Sequence, residues 1–82
     1  MSLFAITFEL KKPDRNYQPF WDALRGLGAK QATESVWMLR HYESAAQLCG
    51  FLLAWMDASD RLLVSEVSNW AAKNPMMRIN QN

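Results

Sequence analysis

Glu9 closes an alternating run, Leu3-Phe4-Ala5-Ile6-Thr7-Phe8-Glu9-Leu10, and Lys11, Lys12 and Arg15 follow it almost at once. A carboxylate at the end of a strand suits a hard cation, because the strand fixes the oxygens while the rim stays wet. One carboxylate does not complete such a site, since Mg²⁺ takes about six oxygens. A two-fold partner would bring a second Glu9 close by, with Asp60 as a further candidate ligand. The other reading of Glu9 is a solvated strand-end charge paired with Lys11 or Arg61. Lys11, Lys12 and Arg15 are opposed within their loop only by Asp14, and Arg40 with His41 follows the third predicted strand. Cations gathered in loops can grip a phosphate backbone without reading its sequence; they also serve simply to keep a sheet edge soluble.

The remaining reactive side chains carry less. His41 has no nucleophile or base beside it in sequence and reads as a surface histidine. Cys49 falls within an apolar helical stripe and reads as a buried thiol. A single cysteine excludes an intramolecular disulfide, and one cysteine with one histidine does not make a zinc site. Nine Lys and Arg against eight Asp and Glu give a net charge of +1, so a polyanion would have to be recognised by local clustering rather than by total charge.

These residues need a scaffold, and 82 residues, half of them hydrophobic, suffice for one small domain. It is expected over residues 1–74, with a tail over 75–82. Period-two alternation over 3–10 predicts a strand with Phe4, Ile6, Phe8 and Leu10 facing a core and a smaller, semi-polar face opposite. That second face suits an open sheet surface or a second subunit. Tyr17, Phe20, Trp21, Leu24 and Leu27 trace a helical stripe, with Asn16 as N-cap, Pro19 in the first turn, and Gly26 and Gly28 at the end. Glu34 to Arg40 reads as a strand and Ala29 to Ala32 as a shorter hairpin partner. Ser44 and Gln47 form a capping box ahead of Ala45, Leu48, Cys49, Leu52, Leu53 and Met56, the clearest helix of the chain. Arg61 to Val67 reads as a strand covered on both faces, and Ser68 to Asn74 as one further helical turn before Pro75. The last residues, 76–82, are expected to fray.

Strand, helix, strand, strand, helix, strand folds by the right-handed crossover rule into an α+β, ferredoxin-like domain, βαββαβ, whose four-stranded antiparallel sheet carries both helices on one face. The first strand is then central, and Glu9, Ser35 and Asp60 gather along one rim. Four tryptophans are more aromatic area than so small a core covers, which predicts one or two of them in a homodimer interface. A base-stacking platform is the sharper alternative. The longest apolar stretch, Cys49 to Met56, is far short of the ~20 residues of a membrane span, and a lone thiol fits a reducing cytoplasm.

At this point the chain resembles the small CRISPR-associated endoribonucleases and their relatives, the virulence-associated protein D type toxins. The pieces that carry the resemblance are Phe8-Glu9-Leu10 where that group has aromatic-Asp-aliphatic, the basic turn Lys11-Lys12-Pro13-Asp14-Arg15-Asn16-Tyr17, the stretch Glu34-Ser35-Val36-Trp37, and Asp60-Arg61-Leu62-Leu63-Val64. The resemblance covers nearly the whole chain, residues 3–74. The resemblance implies a ferredoxin-like homodimer that binds RNA or DNA, some members cutting it with Mg²⁺ or Mn²⁺ held by the first-strand acid of each subunit. Carried over, Glu9 is the catalytic metal carboxylate, Ser35 the hydroxyl that orients a phosphate, and Lys11, Lys12, Arg15 and Arg40 the contacts to the nucleic-acid backbone. Glu in place of Asp lengthens the arm by one methylene, about 1 Å, against the ~0.5 Å within which a working site must be held. A competing expectation is a non-catalytic protein–protein or regulatory module, of the kind found in toxin–antitoxin pairs, with exposed tryptophans as anchors.

Overall fold

The computed structural model describes residues 1–76 and contains β1 (Ser2–Glu9), α1 (Gln18–Gly26), β2 (Lys30–Gln31), β3 (Val36–His41), α2 (Ala45–Leu53) and β4 (Arg61–Val67). All neighbouring strands are antiparallel, in the order β2-β3-β1-β4. The arrangement is the expected ferredoxin-like α+β layer with β1 at its centre, although β2 is only two residues long and makes a short edge.

Register explains which side chains meet. Phe4 lies between Leu39 and Glu66, Ile6 between Trp37 and Val64, and Phe8 beside Leu62. The even-numbered face of β1 is therefore the core face, and Phe4, Ile6 and Phe8 are buried with Phe20 and Leu24 of α1 and Leu48 and Leu52 of α2. Phe8, Phe20 and Trp21 pack edge-on or tilted at 5.2–5.4 Å, and Trp21 stacks on Trp37 at 5.9 Å. Trp21 and Trp37 thus belong to this chain's own core rather than to an interface.

Caps fix both helices. The Ser44 hydroxyl accepts from Gln47 N (3.1 Å) while Gln47 Oε1 accepts from Ser44 N (2.9 Å), the reciprocal box foreseen from the sequence. Tyr17 rather than Asn16 is the N-cap of α1; Asn16 Oδ1 still accepts from Gln18 N at 3.0 Å, one residue ahead of its expected role. At the far end Gly28, at φ +89°, lets its own N–H reach Arg25 O (2.9 Å) and Ala29 N reach Leu24 O (3.0 Å), a Schellman closure. No atom lies within 4 Å of a Cβ built on Gly28. Gly28→Ala is therefore expected to cost only the left-handed strain, about 1–2 kcal/mol, read as a lower urea midpoint with an unchanged slope.

The opposite sheet face departs most from expectation. Residues 68–74 form no helix. Trp70 instead packs against the cluster of Leu3, Ala32 and Met38, together with Ala5, Val36 and Val67, and Met76 N donates to Ala32 O at 2.9 Å. The segment after β4 thus crosses the open face toward β2, where burying the Trp70 ring outweighs one turn of local helix. Of the tail expected over 75–82, all but Pro75 and Met76 lies outside the described residues. Among the described residues no helix is long and apolar enough to cross a membrane.

Candidate nucleic-acid interface

The loop from Leu10 to Tyr17 leaves the central strand and returns as α1, so its position depends on what ties its two ends together. Asp60, just ahead of β4, does this. Its Oδ1 accepts from Lys11 N (2.7 Å) and from the Tyr17 hydroxyl (2.7 Å), and its Oδ2 accepts from Asp57 N (2.8 Å) and lies 2.9 Å from the same hydroxyl. One carboxylate therefore joins the exit of β1, the start of α1 and the turn into β4. Burial by itself would raise the Asp60 pKa, but the bonds from Lys11 N, Tyr17 and Asp57 N outweigh it and hold the carboxyl below its ordinary value. The same contact, with desolvation as the larger cause, pushes the Tyr17 phenol up.

The loop is braced within itself as well. Arg15 N donates to Lys12 O at 3.0 Å, Lys12 N approaches the Tyr17 hydroxyl at 3.4 Å, and the Arg15 guanidinium sits 5.7 Å from the Tyr17 ring centre. Asp57 Oδ1 lies 3.7 Å from Arg15 Nη1. Ser59 lowers the Asp57 pKa through its hydroxyl (2.6 Å) and its N–H (2.9 Å). Lys11, Lys12 and Arg15 are thus presented from a closed frame, all exposed.

Glu9 stands at the same rim. It pairs across the ladder with Arg61, and its carboxylate lies 3.5 Å from Arg61 Nη1 and 3.4 Å from Lys11 Nζ. Its side chain is 56% exposed, so these are solvent-screened pairs. Ser35 comes to the rim through its backbone, its carbonyl accepting from Phe8 N at 3.2 Å; it precedes β3 rather than lying within it. Glu9, Ser35 and Asp60 do converge as expected. Asp60, however, is no spare metal ligand, because both its oxygens are already taken by donors of the chain. No group of three or more His, Cys, Asp or Glu residues able to hold an ion occurs among the described residues. The donor set of one chain therefore does not fit a divalent cation.

Arg40 is placed elsewhere. It pairs with Leu3, at the start of β1, six residues from Glu9 and so about 20 Å away along the strand. Arg40 faces a cleft of about 350 Å³ with Glu66, Asn69 and Trp70 and shares no site with the loop cations. His41 is half-buried, its Nδ1 accepting from Glu43 N (3.1 Å) and its ring stacked on Tyr42. Cys49 is half-buried rather than fully enclosed. The structure adds a residue that sequence reasoning missed in this role, Tyr17, which reads there as the end of the basic turn and the start of a helical stripe; its bond to Asp60 spans 43 residues.

Fold and rim together define a ferredoxin-like α+β domain with a clamped basic loop beside a strand-end carboxylate. No family model matches the chain, and no solved structure matches it at a significant level.

Proposed function

We propose that the protein is a cytoplasmic, nucleic-acid-binding homodimer that holds the phosphate backbone of RNA or DNA on its basic rim, as its resemblance to the small CRISPR-associated endoribonucleases implies. The observation that supports this best is the Asp60 clamp, which fixes Lys11, Lys12 and Arg15 in one frame before any ligand arrives. The segment 68–76 leaves one corner of the open sheet face bare, with Thr7, Glu9, Arg61 and a 62% exposed Leu63. A second copy seated there would bring the two Glu9 side chains together. Mg²⁺ or Mn²⁺ belongs to this reading only as an ion shared between the copies, and phosphodiesterase activity, with Ser35 near the phosphate, rests on that sharing.

A second reading, the non-catalytic protein-binding or regulatory module, is favoured by one observation: Phe51, Leu53 and Trp55 are exposed on the outer side of the helical layer. Electrophoretic shifts of single-stranded RNA and DNA, with and without Mg²⁺, separate the two. Metal-independent binding at low salt is expected, and Glu9→Ala should tighten it a few-fold by removing a negative charge from the rim. Any Mg²⁺-dependent cleavage should disappear in Glu9→Ala; cleavage that survives belongs to another site or to a contaminant. No shift at low salt overturns the proposal in favour of the protein-binding module.

A further inference from the structure

The two edges of the sheet are finished differently. At one, β2 is only two residues long, carries the exposed Lys30, and has the segment after β4 held beside it by the bond from Met76 N to Ala32 O. Short length and an edge lysine are usual protections against pairing with another chain. At the other edge, β4 runs for seven residues with neither proline nor lysine and keeps an unbroken register with β1. Among the described residues it has no strand on its outer side, and its middle, Leu62-Leu63-Val64-Ser65, is uncharged. The ladder tells which backbone groups this edge leaves open. Phe8 N donates to Ser35 O, on the β3 side, so the even-numbered residues of β1 direct their N–H and C=O groups to β3 and the odd-numbered ones to β4. The partners of the odd-numbered residues, Arg61, Leu63, Ser65 and Val67, therefore spend their backbone groups on β1. Those of Leu62, Val64 and Glu66 point outward.

We infer that this edge is completed by the β4 edge of a second copy of the chain, antiparallel about a two-fold axis at Val64, so that the four strands of each copy join in one continuous sheet. Among two-fold registers this one alone satisfies every outward group. Val64 bonds reciprocally with Val64 of the second copy, and Leu62 and Glu66 of each copy bond with Glu66 and Leu62 of the other. An axis at Leu63 would set Glu66 against Asp60, whose N–H already goes to Asp57 O at 3.0 Å. An axis at Ser65 would set Leu62 against Ser68, beyond the end of β4. The side chains agree with the Val64 register. On the open face Leu63, 62% exposed, meets Ser65 of the second copy. On the helical face Leu62 and Val64 are half-buried, and α2 lies against β4 with Leu53 on its flank away from Phe51 and Trp55, 54% exposed. Residues 45–56 contain no charged side chain, so two α2 helices brought alongside do not repel. Each end of the shared ladder carries Arg61 from one copy and Glu66 from the other, opposite rather than like charges. An edge about 23 Å long makes a small contact, hence a reversible dimer of micromolar or weaker affinity. It is distinct from the sheet-face contact, since it leaves the two Glu9 side chains about 25 Å apart.

The test is disulfide trapping together with sedimentation velocity of the full chain over a concentration series. Leu63 of one copy lies opposite Ser65 of the other in a pair without hydrogen bonds, about 4.5 Å between Cα atoms and within disulfide reach. Two copies of the same position stand about 8 Å apart, out of reach. In a Cys49→Ala background, mixing Leu63→Cys chains with Ser65→Cys chains under mild oxidation is therefore expected to give at least about five-fold more cross-linked dimer than either chain alone. Val64→Pro removes one outward N–H and no bond to β1, and is expected to weaken association at least about ten-fold. Thr7→Lys, on the open face of the central strand, blocks the sheet-face contact and is expected to leave this one unchanged. Should Val64→Pro not fold by circular dichroism, the mixed cross-link decides alone. A mixture that cross-links no better than its separate chains, a folded Val64→Pro that associates as wild type does, or a monomer at every concentration up to the millimolar range overturns the inference. Association lost in Thr7→Lys but kept in Val64→Pro overturns it as well, in favour of the sheet-face dimer.

Discussion

Asp60→Asn is expected to destabilise the protein almost as much as Asp60→Ala, by about 2–3 kcal/mol, the range for hydrogen bonds made to a charged group. Asparagine keeps the shape of aspartate but offers one acceptor oxygen where the site uses two. Lys11 N enters at Oδ1 and Asp57 N at Oδ2, with the Tyr17 hydroxyl between them. Whichever way the amide turns, its NH₂ faces a backbone N–H. For a domain of this size the loss corresponds to a fall in Tm of roughly 10–20 °C, measurable by thermal circular dichroism. Tyr17→Phe removes one donor and leaves the carboxylate its two N–H bonds, so a smaller fall is expected. The pH dependence follows from the lowered Asp60 pKa. A carboxyl depressed in the folded state adds stability that is complete above its unfolded pKa, about 4, and is lost as the pH falls through the folded value. Asp57 acts in the same direction. Wild type should therefore lose stability steeply below about pH 4, and Asp60→Asn should show a flatter acid limb. An Asn variant as stable as wild type would mean that the clamp is incidental to the fold.

That clamp also marks where sequence reasoning ends. Elements defined by local pattern are legible: the alternation of β1, the Ser44–Gln47 box of α2 and the limits of β4 all stand in the structure as read. Topology follows from their order. Boundaries set by individual turn bonds or by distant contacts are not legible. Strand β3 begins at Val36 rather than Glu34 because Ala32 N and Thr33 N both turn back onto Val36 O (2.9 and 3.1 Å), which confines β2 to two residues. Residues 68–74 have the composition of a helical turn, yet the contact of Trp70 with Leu3 and Met38 draws them across the sheet. The rim is a mixed case. The crossover rule correctly gathers Glu9, Ser35 and Asp60, but residue type alone does not show that Asp60 is already saturated by protein donors. Nor does proximity to a strand end say which end of the sheet Arg40 occupies.

On the proposed reading as a nucleic-acid binder, substituting Lys11, Lys12 and Arg15 together by serine is expected to abolish most binding, and the salt dependence separates this from general weakening. Each phosphate neutralised contributes about 0.7 to the slope of log affinity against log salt on a single strand. Three contacts therefore give a slope near −2 and close to a twenty-fold loss of affinity between 50 and 200 mM salt. The triple variant should lose that slope along with on the order of a hundred-fold in affinity at low salt, whereas a merely loosened loop would bind more weakly with the slope preserved. Arg15 is the most geometry-dependent of the three. Its guanidinium lies over the Tyr17 ring and beside Asp57, and a lysine there reproduces the charge but not the planar stack, so Arg15→Lys should behave more like a deletion than a conservative change. Arg40 provides the control within the same molecule. At about 20 Å along β1 from the rim it lies roughly two Debye lengths away at physiological salt, so Arg40→Ser should leave both affinity and slope unchanged. A variant at Arg40 that weakens binding as much as one at Lys11 would place the nucleic acid along the whole sheet rather than at the clamped loop.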